Sequence, residues 1–304
     1  LEFVLLQYLE DRFEEVAGGK TYRSESGKRQ YWLKEVDDNL YTPMSEKTLN
    51  EIGYHGNHFD FNLAAIRSSK AMIYNILGNG SVELRGTGRL GAGTYEIEYE
   101  KKIVVLNTDN SEQYPAAIDA FLYCQETGEA IAIEAKCLET YVNDPRKKTY
   151  VPTKSYYDPD NYFYERSDVS FSELAKELRY LIKEGQPTQY DATQMFRHAV
   201  ACYNLCADMI NNDEKISKLT LLNCTWKLPH WTRISKESQE VYRRLRNSQL
   251  EGWKAFRDLT RPILATVFND IGVDFRLMRK DVKKFIECIK KDEDELEWLR
   301  RYYD

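Results

Sequence analysis

The stretch Ala116–Glu139, AAIDAFLYCQETGEAIAIEAKCLE, decides the fold. Two apolar runs, Ala116–Cys124 and Ala130–Cys137, flank the polar turn Gln125–Glu129, and Gly128 supplies the permissive backbone that such a turn needs. The pattern predicts a β-hairpin. Three charges, Asp119, Glu134 and Lys136, interrupt strands that otherwise read as buried. A charge in a buried strand is costly unless it is paired or binds an ion. Glu134 and Lys136 are two residues apart and share one face of their strand. With the turn closing on Thr127-Gly128, Asp119 lies across from Lys136 and Glu134 is diagonal to it. A slip of one residue would carry Asp119 to the other face. The hairpin is therefore expected to gather two carboxylates and one amine at one spot.

Two carboxylates at the end of a hairpin suit a hard divalent cation such as Mg²⁺, which keeps several of its waters. Such a cation lowers the pKa of bound water and neutralises charge building on a phosphoryl group. A lysine beside it can orient or help deprotonate the attacking water, or steady the phosphate. The alternative is a buried Glu–Lys ion pair with Asp119 capping a strand end. The motif Ile118-Asp119 followed after fifteen residues by Glu134-Ala135-Lys136 resembles the PD-(D/E)XK nuclease superfamily, without the proline that often precedes the aspartate. The resemblance covers about residues 59–226. It implies an α/β (α+β) fold with a restriction-endonuclease-like αβββαβ core, a mixed central sheet flanked by helices. It also implies that Asp119, Glu134 and the carbonyl of Ala135 hold Mg²⁺, with Mn²⁺ as a substitute, and that Lys136 positions or activates water.

The bulk composition is compatible with that reading. A chain of 304 residues with 42% hydrophobic and 13% aromatic residues, 22 of them Tyr, supports a real core rather than disorder. No apolar run reaches the roughly eighteen residues of a membrane span. The first residues turn acidic and amphipathic at once, unlike a signal peptide. Six cysteines without a CxxC pair read as buried free thiols of a reducing cytoplasm. The net charge of −6 does not advertise nucleic-acid binding, but Trp226–Arg261 holds nine Lys/Arg against four Asp/Glu. Pro145–Lys154 holds Arg146, Lys147, Lys148 and Lys154 with no acid and forms a second basic run. Basic segments beside a metal site are what a phosphate backbone needs, although a solvated helix face explains them equally well.

Along the chain, residues 1–54 read as a helix (Leu1–Ala17) and an irregular aromatic segment packed on the core. A helix over Asp60–Leu77, with Asp60 as its cap, opens a nuclease-like core at 55–228. The glycine-rich Leu84–Gly93 reads as a mobile loop, and Thr94–Asn107 as the first core strand, with Glu96, Glu98 and Glu100 sharing one face. A tyrosine-rich insertion spans 140–186 and contains a short helix over Phe171–Lys183. Asp191–Asn211 is a strong helix whose first two turns carry Gln194, Arg197 and His198, where free N–H groups favour anions. The resemblance gives Gln194 a catalytic place, orienting water or substrate, and makes Arg197 and His198 substrate-binding candidates. Lys218–Trp226 is the next buried strand. Residues 229–304 read as a helical C-terminal extension, with Pro262 breaking or kinking a run over Ser235–Phe268 and a last helix over Asp281–Tyr303.

The function expected is Mg²⁺-dependent hydrolysis of DNA phosphodiester bonds by a restriction-like endonuclease, with RNA as an alternative substrate and no membrane partner. Double-strand cutting would favour a homodimer. The rival reading is a catalytically inactive nucleic-acid-binding module of the same fold. An assembly protein with a buried ion pair, or another metal-dependent hydrolase, stands further off, the last because four histidines make a histidine-rich site a poor prospect.

Overall fold

The computed structural model describes residues 2–17, 22–25, 28–33, 36–52, 63, 65–107, 115–138, 141, 152–164, 171–185 and 188–304. Asp60, Arg146, Lys147 and Lys148 lie outside the described residues. The elements, in chain order, are α1 (Glu2–Ala17), β1 (Tyr22–Glu25), β2 (Lys28–Leu33), α2 (Glu46–Glu51), α3 (Ser69–Leu77), β3 (Ser81–Arg85), β4 (Ala92–Ile103), β5 (Ala116–Cys124) and β6 (Glu129–Lys136). There follow α4 (Phe171–Glu184), α5 (Ala192–Asn211), β7 (Lys218–Thr225), α6 (Lys236–Asp270), β8 (Asp274–Asp281), α7 (Val282–Ile286), β9 (Ile289–Lys290) and α8 (Glu293–Tyr303).

Seven strands form one sheet in the order β8-β7-β6-β5-β4-β3-β9. The run from β6 to β9 is antiparallel, while β6, β7 and β8 are parallel. The sheet is therefore mixed and the class α/β. The strand β6 lies near its centre, and seven of its eight residues are buried. Alternating residues of β6 feed two separate cores: Ile131, Ile133 and Ala135 pack with α1, α3 and α8, and Ala130 and Ala132 with α4, α5 and α6. That explains a strand with no polar face, since both faces are covered. Burying each isoleucine there contributes about 1.5–3 kcal/mol.

The hairpin forms with a register two residues from the expected one. The turn occupies Gln125–Gly128 and closes through Gly128 N–H donating to Cys124 O at 2.8 Å, so Cys124 pairs with Glu129 and Ala120 with Ile133. Continuing that register sets Asp119 opposite Glu134, not Lys136. A shift of two keeps every side chain on its face, so the three charges still share one. Gly128, at φ +68°, adopts a left-handed conformation that side chains rarely tolerate. Its carbonyl accepts from Ser217 and Lys218 N–H. The hairpin turn thereby sets where β7 begins, and with it the register that puts Asn223 beside Glu134.

Four features differ from expectation. Of the helix expected over Asp60–Leu77, residues 60–62 and 64 lie outside the described residues; residues 65–68 are non-helical, and the helix that leads into the sheet starts at Ser69, where Ser68 caps it by accepting from Ala71 N–H at 3.1 Å. The glycine-rich segment is led by the strand β3, whose pairing with β4 extends the sheet. The C-terminal segment is not only helical: β8 and β9 complete opposite edges of the sheet. The helix α6 runs through Pro262 without a break. Its buried residues Phe256, Thr260, Leu264 and Phe268 lie on both sides of the proline, and that shared stripe holds both halves on the core. All six cysteines are free and buried. Among the described residues no helix is long and apolar enough to cross a membrane.

Candidate active site

The three charges of the hairpin meet at one end of the sheet. Glu134 is 2% exposed, and both of its oxygens are engaged: Lys136 Nζ lies 2.5 Å from Oε1, and His198 Nε2 donates to Oε2 at 2.8 Å. Asp119 Oδ2 accepts the Ala135 N–H at 2.7 Å. In a strand one residue's N–H and C=O leave by the same edge, so the Ala135 carbonyl also points toward Asp119. On the far side of Asp119 is Glu100, set between the ladder pairs Tyr99–Ala120 and Lys101–Ile118. Glu100 has φ +49°, a conformation costly for a residue with a side chain, and Lys70 on α3 holds its carboxylate at 3.2 Å.

The two carboxylates are driven in opposite directions. Burial raises the Asp119 pKa well above the usual range, and repulsion from Glu134 and Glu100 adds to it against Lys136 and the Ala135 N–H. Burial also pushes Glu134 upward, but Lys136 and His198 outweigh it and bring Glu134 down to about 2. A pair of acids with separated affinities for protons is common where chemistry is done, although ion-pair networks produce it too.

Helix α5 brings the next groups. Asp191 caps it by accepting from Gln194 N–H at 2.9 Å. Burial raises the Asp191 carboxyl, with the Gln194 N–H and Lys136 opposing. Gln194 and His198 are four apart, so both lie on the stripe of α5 that faces the hairpin. Among the described residues the Gln194 side chain makes no hydrogen bond to either carboxylate. His198, 2% exposed, reaches Glu134 rather than the surface. Arg197 turns the other way, toward Pro115 O at 3.4 Å and the Tyr156 hydroxyl. Of the four residues expected to be catalytic, the structure gathers Asp119, Glu134 and Lys136 and leaves Gln194 beside them. Of the substrate-binding pair, His198 supports Glu134 from within.

No protein-family model, curated protein or solved structure matches the chain. The site must therefore be read from its own residues. Its oxygen donors, Asp119, Glu134 and the Ala135 carbonyl, are of the hard kind that Mg²⁺ takes. Two protein carboxylates plus waters are a usual complement for that ion, so the donor set fits it. Among the described residues no group of three or more His, Cys, Asp or Glu is arranged to hold a metal.

Several residues at this end of the sheet had escaped the sequence reading. Asn223 on β7 is in register with Glu134, and Arg279 on β8 with Asn223. Tyr190 precedes the α5 cap and is wedged against Trp253 and Phe256 of α6, each ring centroid 5.6 Å away. The wedge depends on Gly252: a Cβ there would come within 2.7 Å of Tyr190 Cβ and 2.4 Å of Thr188 Oγ1. Gly252→Ala should therefore push the 188–191 segment off α6 and destabilise the protein by about 1–3 kcal/mol, measured by urea denaturation. An asparagine inside the apolar run KLTLLNCTW was the one sequence signal for this group, and it went unread.

Proposed function

We propose that the protein is a Mg²⁺-dependent phosphodiesterase of the PD-(D/E)XK type that cuts DNA internally. The observation that carries this reading is the convergence of Asp119, Glu134 and Lys136 on one face, with the Ala135 carbonyl turned toward the same point. The order helix α3, strands β4 to β6, helix α5 and strand β7, with β6 and β7 parallel, supports a restriction-endonuclease-like core. In this reading Asp119, Glu134 and the Ala135 carbonyl hold the cation. Such an ion, when bound there, would acidify a water and offset charge on the phosphoryl oxygens.

The remaining work falls to the chain. Lys136, 26% exposed and anchored on Glu134, holds the attacking water and faces the phosphate. His198 fixes the Glu134 carboxylate in one orientation, and its own burial keeps water off that side. Gln194 stands within the first turn of α5 to orient water or substrate. Attack in line forms a new P–O bond as the bond to the sugar oxygen breaks. Lys136→Ala should lower Mg²⁺-dependent nicking of circular DNA by at least about a hundredfold, while circular dichroism stays that of the wild type. Undiminished nicking would remove Lys136 from the mechanism. If wild-type protein with Mg²⁺ or Mn²⁺ leaves both circular and linear DNA intact, the nuclease reading fails.

A catalytically inactive nucleic-acid-binding module is the second reading. What favours it is that both Glu134 oxygens are already satisfied within the protein and that the Asp119 carboxyl is driven toward its neutral form. Calorimetric titration with Mg²⁺ separates the two, since an inert module gives no binding heat that depends on Asp119.

A further inference from the structure

Beyond the carboxylates, the same face of the sheet continues into a second cluster that the proposed cutting step does not use. The β7–β8 register aligns Glu134, Asn223 and Arg279 in one row, and Thr225 with Lys136 in the next. Four buried polar atoms here lack a hydrogen-bond partner among the described residues: Asn223 Oδ1, Thr225 Oγ1, Arg279 Nε and Tyr190 Oη. Asn223 is 3% exposed, Thr225 0% and Tyr190 8%. An unsatisfied buried polar group is expensive, so four together at one end of a sheet need a reason. Packing alone does not supply it, since phenylalanine would fill the Tyr190 site without an orphan hydroxyl.

The arrangement is built rather than incidental. Arg279 is oriented by Nη2 donating to Gln249 Oε1 at 2.9 Å, and Gln249 is itself 2% exposed. Asp281 Oδ1 lies 3.9 Å from Arg279 Nη1. These contacts leave Arg279 with further N–H donors, since guanidinium carries five in a fixed fork. Tyr190 is clamped by Trp253 and Phe256. Burial raises its hydroxyl pKa, with Asp191 and Glu134 adding and Arg279 opposing, so the hydroxyl stays a donor within electrostatic reach of both halves of the site. One permanent cation and two hydroxyl donors set next to a carboxylate pair divide the region into a cation-holding half and an anion-holding half.

We propose that Arg279 and Tyr190, assisted by the Thr225 hydroxyl, bind a phosphate group beside the carboxylate–lysine cluster. A nucleic-acid backbone and free inorganic phosphate both present this chemistry. On the nuclease reading, on which the backbone assignment rests, the phosphate is one neighbouring the bond that is cut. The strand β8 then acts as a substrate-gripping edge as well as a sheet closure.

The test uses the full chain without metal, so that no cutting occurs. Binding of a fluorescent short DNA duplex is followed by anisotropy for wild type, Tyr190→Phe, Arg279→Gln and Asp119→Asn. Tyr190→Phe should weaken binding about five- to tenfold while leaving the melting temperature unchanged or higher, because the lost hydroxyl had no partner inside the protein. Arg279→Gln should weaken it further and reduce the slope of log affinity against log salt by about one. Inorganic phosphate is the second arm: if it raises the wild-type melting temperature but not that of Arg279→Gln, while duplex binding is the same in both, the ligand is free phosphate. Duplex binding and phosphate stabilisation both unchanged in Tyr190→Phe and Arg279→Gln would overturn the proposal. Its fate is separable from that of the nuclease reading. Weakened binding in Tyr190→Phe with no cleavage by the wild type would leave the phosphate site standing alone. Wild-type cleavage with unaltered binding in both variants would do the reverse.

Discussion

Asp119→Asn should make the metal-free protein more stable and at the same time abolish Mg²⁺-dependent cleavage. The gain in stability comes from removing a charge that the folded state disfavours. Burial and the repulsion of Glu134 and Glu100 raise the carboxyl's pKa well above its value of about 3.9 in an unfolded chain. An acid that holds its proton more tightly when folded costs stability as pH rises from that unfolded value through the folded one. Asparagine has nothing to ionise, and its Oδ1 can still accept the Ala135 N–H that Asp119 accepts at 2.7 Å. The melting temperature of the variant should therefore exceed that of the wild type at pH 7, and the gap should close below about pH 4. Addition of Mg²⁺ should reverse the order. The ion offsets the repulsion only in the wild type, and binding to the native state alone raises its melting temperature. Scanning calorimetry at pH 4 and pH 7, with and without Mg²⁺, reads all of this. A variant less stable at pH 7, or one stabilised by Mg²⁺ as much as the wild type, would show that Asp119 is a structural cap and not a metal ligand.

Glu134→Ala should show the same loss of cleavage with the opposite effect on stability. Glu134 is the counter-charge of Lys136 and the acceptor of the His198 ring N–H. Removing one member of a buried charge pair leaves its partner uncompensated, here with the His198 N–H losing its acceptor too, which costs about 3–5 kcal/mol. Burial raises this carboxyl, but its two partners more than reverse that and bring it to about 2. A lowered acid contributes stability that is present above the unfolded value of about 4.3 and lost as pH falls toward the folded one. The deficit of the variant should accordingly be complete at pH 6 and shrink between about pH 4 and pH 2. Urea denaturation at those values measures it. A deficit unchanged across that range would mean that lost packing, rather than lost charge, accounts for the effect. Two carboxylates on one face would thus be told apart by sign: one strains the site, the other holds it together.

The sequence by itself determined the hairpin, because strand and turn are local. Apolar runs on either side of Gln125–Glu129, with a glycine for the left-handed position, leave little else for residues 116–137 to form. It also determined that Asp119, Glu134 and Lys136 share a face, since that follows from a period of two and survives a register shift of two. Helix α5 and the strand β7 were legible for the same reason, each being a single run with one period. Even β8 left a trace, in Val273, Phe275 and Leu277 alternating after Gly272, although its polar partners obscured it.

Only the tertiary structure decided what those three charges touch. The register of the hairpin depends on how its turn docks against Ser217 and Lys218, some ninety residues along the chain. His198 lies 64 residues from Glu134 and meets it because α5 packs across β5 and β7. Arg279 reaches the row of Glu134 only through two successive parallel pairings. Tyr190 is aimed by a glycine in a helix 62 residues later. Periodicity reports which way a side chain points from its own element. Which elements lie side by side is set by the burial of both sheet faces at once, and no local pattern carries that information.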